Sequence, residues 1–140
     1  MGQQQLLLLV LGIVIVGLAV VVGIQAFSEN QKKANADALV NDAIRIASDA
    51  QAWMLKPEAF GGGGNSCATT CSWTGADFSQ LGYATGTSGT YSNLNGEFTI
   101  SNSGNTLTIL GASTANGNEV TVLVTGTTPA AIATTVDTNA

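Results

Sequence analysis

Cys67 and Cys71 are the pair whose type and spacing point most directly to chemistry. An Ala-Thr-Thr link separates them, and it can bend to bring the two Cα atoms within bridging range. In an oxidising compartment a disulfide is expected. Such a short loop removes little chain entropy, so its effect is local pinning rather than large global stabilisation. Free thiols or half of a zinc site are the alternatives. Zinc needs about four nitrogen or sulfur ligands, and the chain has no His and no third Cys. The absence of His also removes the commonest general base. The serines therefore lack a triad partner. The nine Asp and Glu residues are scattered, several of them along one helical face. The run Gly61–Gly64 lacks the lysine and the strand-to-helix setting of a phosphate loop. No catalytic set, cofactor site or metal site is expected, and an enzyme is the least favoured class.

Composition narrows the partners. Charged residues make up 9% of the 140 residues, against about 25% in ordinary soluble domains. Thr, Ser, Asn and Gly supply the polarity, giving a neutral surface suited to packing against copies of itself. The net charge of −5 argues against nucleic acid, whose binding needs basic patches that neutralise phosphates.

The elements that must carry these residues begin with an unbroken apolar run, Leu6 to Ile24, with no charge before Glu29. A run of about 18 or more apolar residues is a membrane-span candidate. A secretory signal has a basic start, a shorter apolar stretch and a small-residue cleavage site. Residues 1–5 carry no basic side chain, so the segment is expected to be kept in the working protein. Gly12, Gly17 and Gly23 interrupt the run; in an apolar helix they allow close backbone approach to neighbouring helices. One long helix is expected from Gln3 to about Lys56. Its first half, residues 1–25, is apolar all round and must be buried all round. Its second half, residues 26–57, is amphipathic. Leu39, Val40, Ala43, Ile44, Ala47, Ala50, Trp53 and Met54 recur at three- and four-residue spacing. Asp37, Asn41, Asp42, Arg45, Ser48, Asp49 and Gln51 interleave, with Asp42 and Arg45 spaced to pair. Pro57 and the glycine run stop the helix.

Residues 58–94 lack clear periodicity and are expected to form a glycine-rich connecting loop, with a short helical turn near Ala76–Leu81. A loop of this length tends to be functional. From residue 95 the period changes to two. Phe98 and Ile100, then Leu107 and Ile109, then Val120, Val122 and Val124 alternate with Thr and Ser. Asn102–Asn105 and Ala115–Asn118 fit four-residue hairpin turns. The expectation over 95–140 is a three-stranded antiparallel meander, with a fourth strand at Ala131–Val136. Its apolar face needs a partner, and the face from Leu39 to Met54 is the large one available. The fold class is thus α+β: a long N-terminal helix packed on a small antiparallel β-meander. Its expected core holds Leu39, Ala43, Ala47, Trp53, Met54, Phe98, Ile100, Leu107, Ile109, Val120 and Val122.

This layout resembles a bacterial type IV pilin, or a related type IV pilin-like subunit. The resemblance spans the whole architecture and is most specific over Gln3–Lys56; the loop, the Cys pair and the meander match in layout. It implies that a dedicated prepilin peptidase cuts after a glycine and methylates the new N-terminus. That residue would be Met1 if a leader has been removed, or Gln3 after cleavage behind Gly2. It implies an assembly surface at Gln3, Gln4, Gln5, Leu6, Leu9, Gly12, Val14, Gly17 and Gly23. It also implies residence in the inner membrane, then extraction by an assembly machinery with a cytoplasmic ATPase. The end state would be an extracellular helical polymer of the chain with itself, serving attachment or motility. One position departs from the family. A glutamate usually stands fifth in the mature chain, thought to pair with a neighbour's N-terminal amine. Gln5 accepts a hydrogen bond but neutralises no charge, and an unpaired buried charge is costly. Either the three glutamines solvate the amine or the contact differs. The usual proline in the apolar half is also absent. A minor pilin or a secretion-system pseudopilin is the nearest alternative, and a signal-anchored envelope protein the next.

Overall fold

The computed structural model describes residues 2–64, 67 and 70–138. Met1, the expected modified N-terminus, lies outside the described residues. Helix α1 runs from Gly2 to Leu55. The chain divides into two compact units, Met1–Lys33 and Ala34–Ala140.

In the first unit, α1 carries straight-chain and Ala residues that favour helix, with β-branched ones that favour it less. It has no proline to break it. In the second unit, Ala36, Leu39, Ala43, Ile46, Ala47, Ala50 and Met54 are the buried positions of α1. Their steps of three and four form one stripe, as a 3.6-residue period requires. Ile44, expected on this stripe, is instead exposed, and Ile46 is buried in its place. A two-residue step turns about 200° around a helix, so one of the two must leave the stripe. The helix ends where Pro57 removes an N–H. Beyond it the amides of Lys56 and Gly63 both donate to the Trp53 carbonyl, and Gly64 N–H donates to Lys56 O. These bonds satisfy carbonyls that a helix end leaves open. The glycine run is thereby packed on the helix end. A Cβ at Gly62 would lie 2.2 Å from the Lys56 carbonyl oxygen.

The sheet has five strands in the order β1-β2-β3-β4-β5, each antiparallel to its neighbour in sequence. They are β1 Tyr91–Ser92, β2 Glu97–Ser103, β3 Thr106–Ala112, β4 Glu119–Val124 and β5 Ile132–Asp137. The meander is therefore longer than the three or four strands expected. Strand β1 adds an edge inside the expected loop, and β5 begins one residue late. Ser103 pairs with Thr106, so the first hairpin closes through Gly104 and Asn105 alone rather than a four-residue turn. Gly104 takes φ +62° there, a conformation that costs a glycine nothing.

Cross-strand register puts Phe98, Gly111, Val120 and Val136 in one row. The next rows hold Ile100, Ile109, Val122 and Thr134, then Asn102, Leu107, Val124 and Ile132. Partners in register share a face. This face packs on the buried stripe of α1, with Leu39, Ala43, Ala47, Met54, Phe98, Leu107, Ile109, Val120 and Val122 in one core cluster. Trp53 and Ile100, expected in that core, are only partly buried at its margin. The connector supplies two large core side chains that periodicity does not reveal, Trp73 and Phe78, with Leu81, Tyr83 and Tyr91 partly buried against the same core. Burial of Trp73 and Phe78 is worth roughly 1.5–3 kcal/mol or more each. Residues 58–94 are thus partly a core element. The opposite sheet face is largely Thr and Ser, with Leu110 and Leu123 among them.

Candidate functional site

The apolar half of α1 holds the expected assembly residues together on one element. An 18-residue window has a mean hydropathy of 3.2, and none of it is buried. The large side chains from Leu6 to Ile24, including Leu9 and Val14, are between 52% and 69% exposed. Gln3, Gln4 and Gln5 precede them on the same helix, also exposed. The helix is long and apolar enough to cross a membrane. Gly12 opens a shallow groove bounded by Leu8, Leu9, Ile13 and Val16. A Cβ built at Gly12, Gly17 or Gly23 meets nothing within 4 Å, so these glycines answer no packing need within the subunit. Nineteen consecutive apolar residues facing outward would expose far more apolar surface than soluble proteins leave in contact with water.

The second unit is stitched together by polar side chains of α1. Asn35, Asp42 and Asp49 are spaced by seven, which keeps them on one line of the helix. Asn35 Nδ2 donates to Asn95 O at 3.0 Å and Asn118 Nδ2 donates to Asn35 Oδ1 at 3.1 Å. Asp42 Oδ2 accepts from Asn93 Nδ2 at 2.9 Å and from Asn95 Nδ2 at 2.6 Å. Asp42 thus binds Asn93 and Asn95 from outside the helix, whereas its spacing to Arg45 only allowed a pair within it. Asp49 Oδ2 accepts from the Tyr83 hydroxyl. Burial first, and the Asp49 carboxylate second, hold the Tyr83 phenol well above its usual range. On another side of α1, Gln51 Nε2 donates to Gly126 O and Thr128 O, both at 2.9 Å. Spacing of seven was visible in the sequence, but the partners Tyr83, Asn93, Asn95 and Asn118 were not.

Cys67 and Cys71 form a disulfide, with Cα atoms 5.4 Å apart. Its role is read from its neighbours. Cys71 N–H donates to Thr125 O at 2.8 Å, while Thr127 donates to Cys67 O through its N–H at 3.1 Å and its Oγ1 at 2.7 Å. The bridge therefore clamps the segment between β4 and β5, which Gln51 holds from the helix. Trp73 Nε1 donates to Thr125 O at 3.3 Å beside it. Phe78, Tyr83, Tyr91 and Phe98 form a ring cluster with centroids 4.9–6.0 Å apart.

Among the described residues, no group of three His, Cys, Asp or Glu side chains is placed to hold a metal ion. The carboxylates described above serve as hydrogen-bond acceptors in the head. What the arrangement offers is surface: an apolar half-helix exposed among the described residues, and a head tied down by hydrogen bonds and one disulfide. No protein family, curated protein or solved structure matches the chain.

Proposed function

We propose that this chain is a structural subunit that polymerises through its apolar N-terminal half-helix into an extracellular filament of the type IV pilus kind. The observation that carries the proposal is a single helix, Gly2–Leu55, that is apolar and exposed at every position over residues 6–24 yet contributes to the core of a folded head over residues 36–54. A plain anchor needs no such extension. Before assembly the apolar segment spans the inner membrane. On assembly the same surface moves from lipid into a bundle of like helices. Lipid tails are about as apolar as leucine, so packing rather than hydrophobicity must favour the bundle. Gly12, Gly17 and Gly23 suit that role because each leaves open space at its backbone. Head-to-tail contacts that do not close then generate a helical array. Processing by a prepilin peptidase and extraction by a motor-driven machinery belong to this reading, as do attachment or motility as its outcome.

The test is electron microscopy of material sheared from cells, with the subunit identified by mass spectrometry. Thin filaments built mainly of this chain are expected. Recovery from membranes alone, with no filament, would instead favour the pseudopilin or the signal-anchored envelope protein.

A further inference from the structure

We infer that an open groove on the head, beside the end of α1, is a binding site for a pyranose saccharide. The groove is lined by Asp49, Ala52, Trp53, Lys56, Gln80 and Leu81 and has a volume of about 330 Å³, at the small end of ligand sites. It is lined by residues of the second unit alone.

Trp53 is the central feature. A core tryptophan is buried, as Trp73 is at 0% exposure; Trp53 sits at the margin and lines the groove instead. Its Nε1–H is already satisfied by Gly61 O at 3.0 Å. Gly63 packs against the ring, where a Cβ would come within 2.9 Å of Cζ3. The indole is therefore fixed in place, and what it offers the groove is apolar ring surface. The C–H face of a pyranose matches such a surface, and its hydroxyls need donors and acceptors around the rim. Asp49 supplies acceptors, Gln80 one of each kind, and Lys56 up to three donors. Asp49 is positioned before any ligand arrives, because Tyr83 holds its Oδ2. Such preorganisation lowers the cost of ordering a site. Ala52 and Leu81 add apolar lining beside the indole. A nucleic acid is disfavoured by the net charge of −5.

The experiment uses the full chain in a zwitterionic, sugar-free detergent, titrated with lactose, N,N′-diacetylchitobiose and digalacturonate. Trp53 is the accessible indole, so its emission reports occupancy against the buried Trp73. A saturable emission change with at least one saccharide, at a Kd of about 1 mM or tighter, is expected. Gln80→Ala and Lys56→Ala should each weaken it by about three- to tenfold. The Gln80 side chain makes no hydrogen bond within the head among the described residues, so its variant keeps the fold where Trp53→Ala would disturb the glycine run. Tighter binding of digalacturonate than of lactose would assign Lys56 to the sugar carboxylate; equal binding would make the stacked ring the anchor. No saturable change with any of the three, or binding unaltered in both variants, would overturn the inference. Neither result bears on filament formation, which is scored separately on sheared material.

Discussion

Tyr83 and Asp49 show what single residues contribute to this head. The phenol donates to the carboxylate, so the protonated form of Tyr83 is the one the folded state prefers. Its pKa is raised above the ordinary value of 10.0, by burial first and the Asp49 carboxylate second. The folded state therefore holds this proton more tightly than the unfolded chain does. The resulting stabilisation is fully present below pH about 10 and is lost as pH rises above it. Replacing Tyr83 by Phe removes both the bond and the titration. At neutral pH the Tyr83→Phe head should lose about 1 kcal/mol of stability. Between pH 9 and 11 (about one unit either side of the free phenol value) its melting temperature should fall less steeply than the parent's. Parallel alkaline limbs for the two proteins would show that Tyr83 is not linked to folding in this way. Gly111 makes a steric point at the same scale. It lies opposite Phe98, and a Cβ there would come within 2.6 Å of the ring, so the glycine makes room for the aromatic that closes this end of the core.

At the scale of elements, the 67–71 bridge is a clamp on the β4–β5 connection rather than a support for the sheet. The chain-entropy account gives a five-residue loop about 2 kcal/mol. Reduction should therefore lower stability by about that much and leave the sheet standing. Hydrogen exchange should show protection lost at the amides of Cys71 and Thr127, which bond across the clamp, while β3 and β4 retain theirs. Uniform loss of protection would mean that the bridge supports the whole head. How legible each element was follows from how many residues repeat its period. The alternation through Phe98, Leu107, Ile109, Val120 and Val122 spans several strand positions, and those strands lie where it places them. Strand β1 has two residues and so no period to detect. Phe78 and Trp73 reach the core from irregular chain, where no spacing rule applies. The amphipathic stripe of α1 was evident, yet the Ala-Ile-Arg-Ile-Ala stretch fits it with either Ile44 or Ile46 inward. Only the sheet opposite decides between them. The polar line Asn35, Asp42 and Asp49 shares one spacing, but its meaning depends on a connector whose path the sequence does not reveal.

For the whole molecule, the apolar half-helix must be distinguished as a polymer surface or an anchor, and one side chain can do it. An aspartate at Val14 costs about 2.5–3.5 kcal/mol in the middle of a membrane span, so Val14→Asp should abolish filaments while leaving the head folded. Failed membrane insertion would give the same loss, so a second variant is required. Gly12→Leu supplies it. Leucine is a better helix former than glycine and makes the span more apolar, so insertion should be intact or improved. Nothing lies within 4 Å of a Cβ at this position in the subunit, so the folded chain accommodates the change without strain. The added side chain meets resistance where a neighbouring helix packs into the groove bounded by Leu8, Leu9, Ile13 and Val16. The polymer reading therefore predicts normal membrane levels of Gly12→Leu with few or shortened filaments, scored by electron microscopy against membrane fractions of the same cells. An anchor would be indifferent to the substitution. Filaments of parental length and number from Gly12→Leu cells would place the packing surface elsewhere on α1, and the same result from Val14→Asp cells would remove the helix from the filament core.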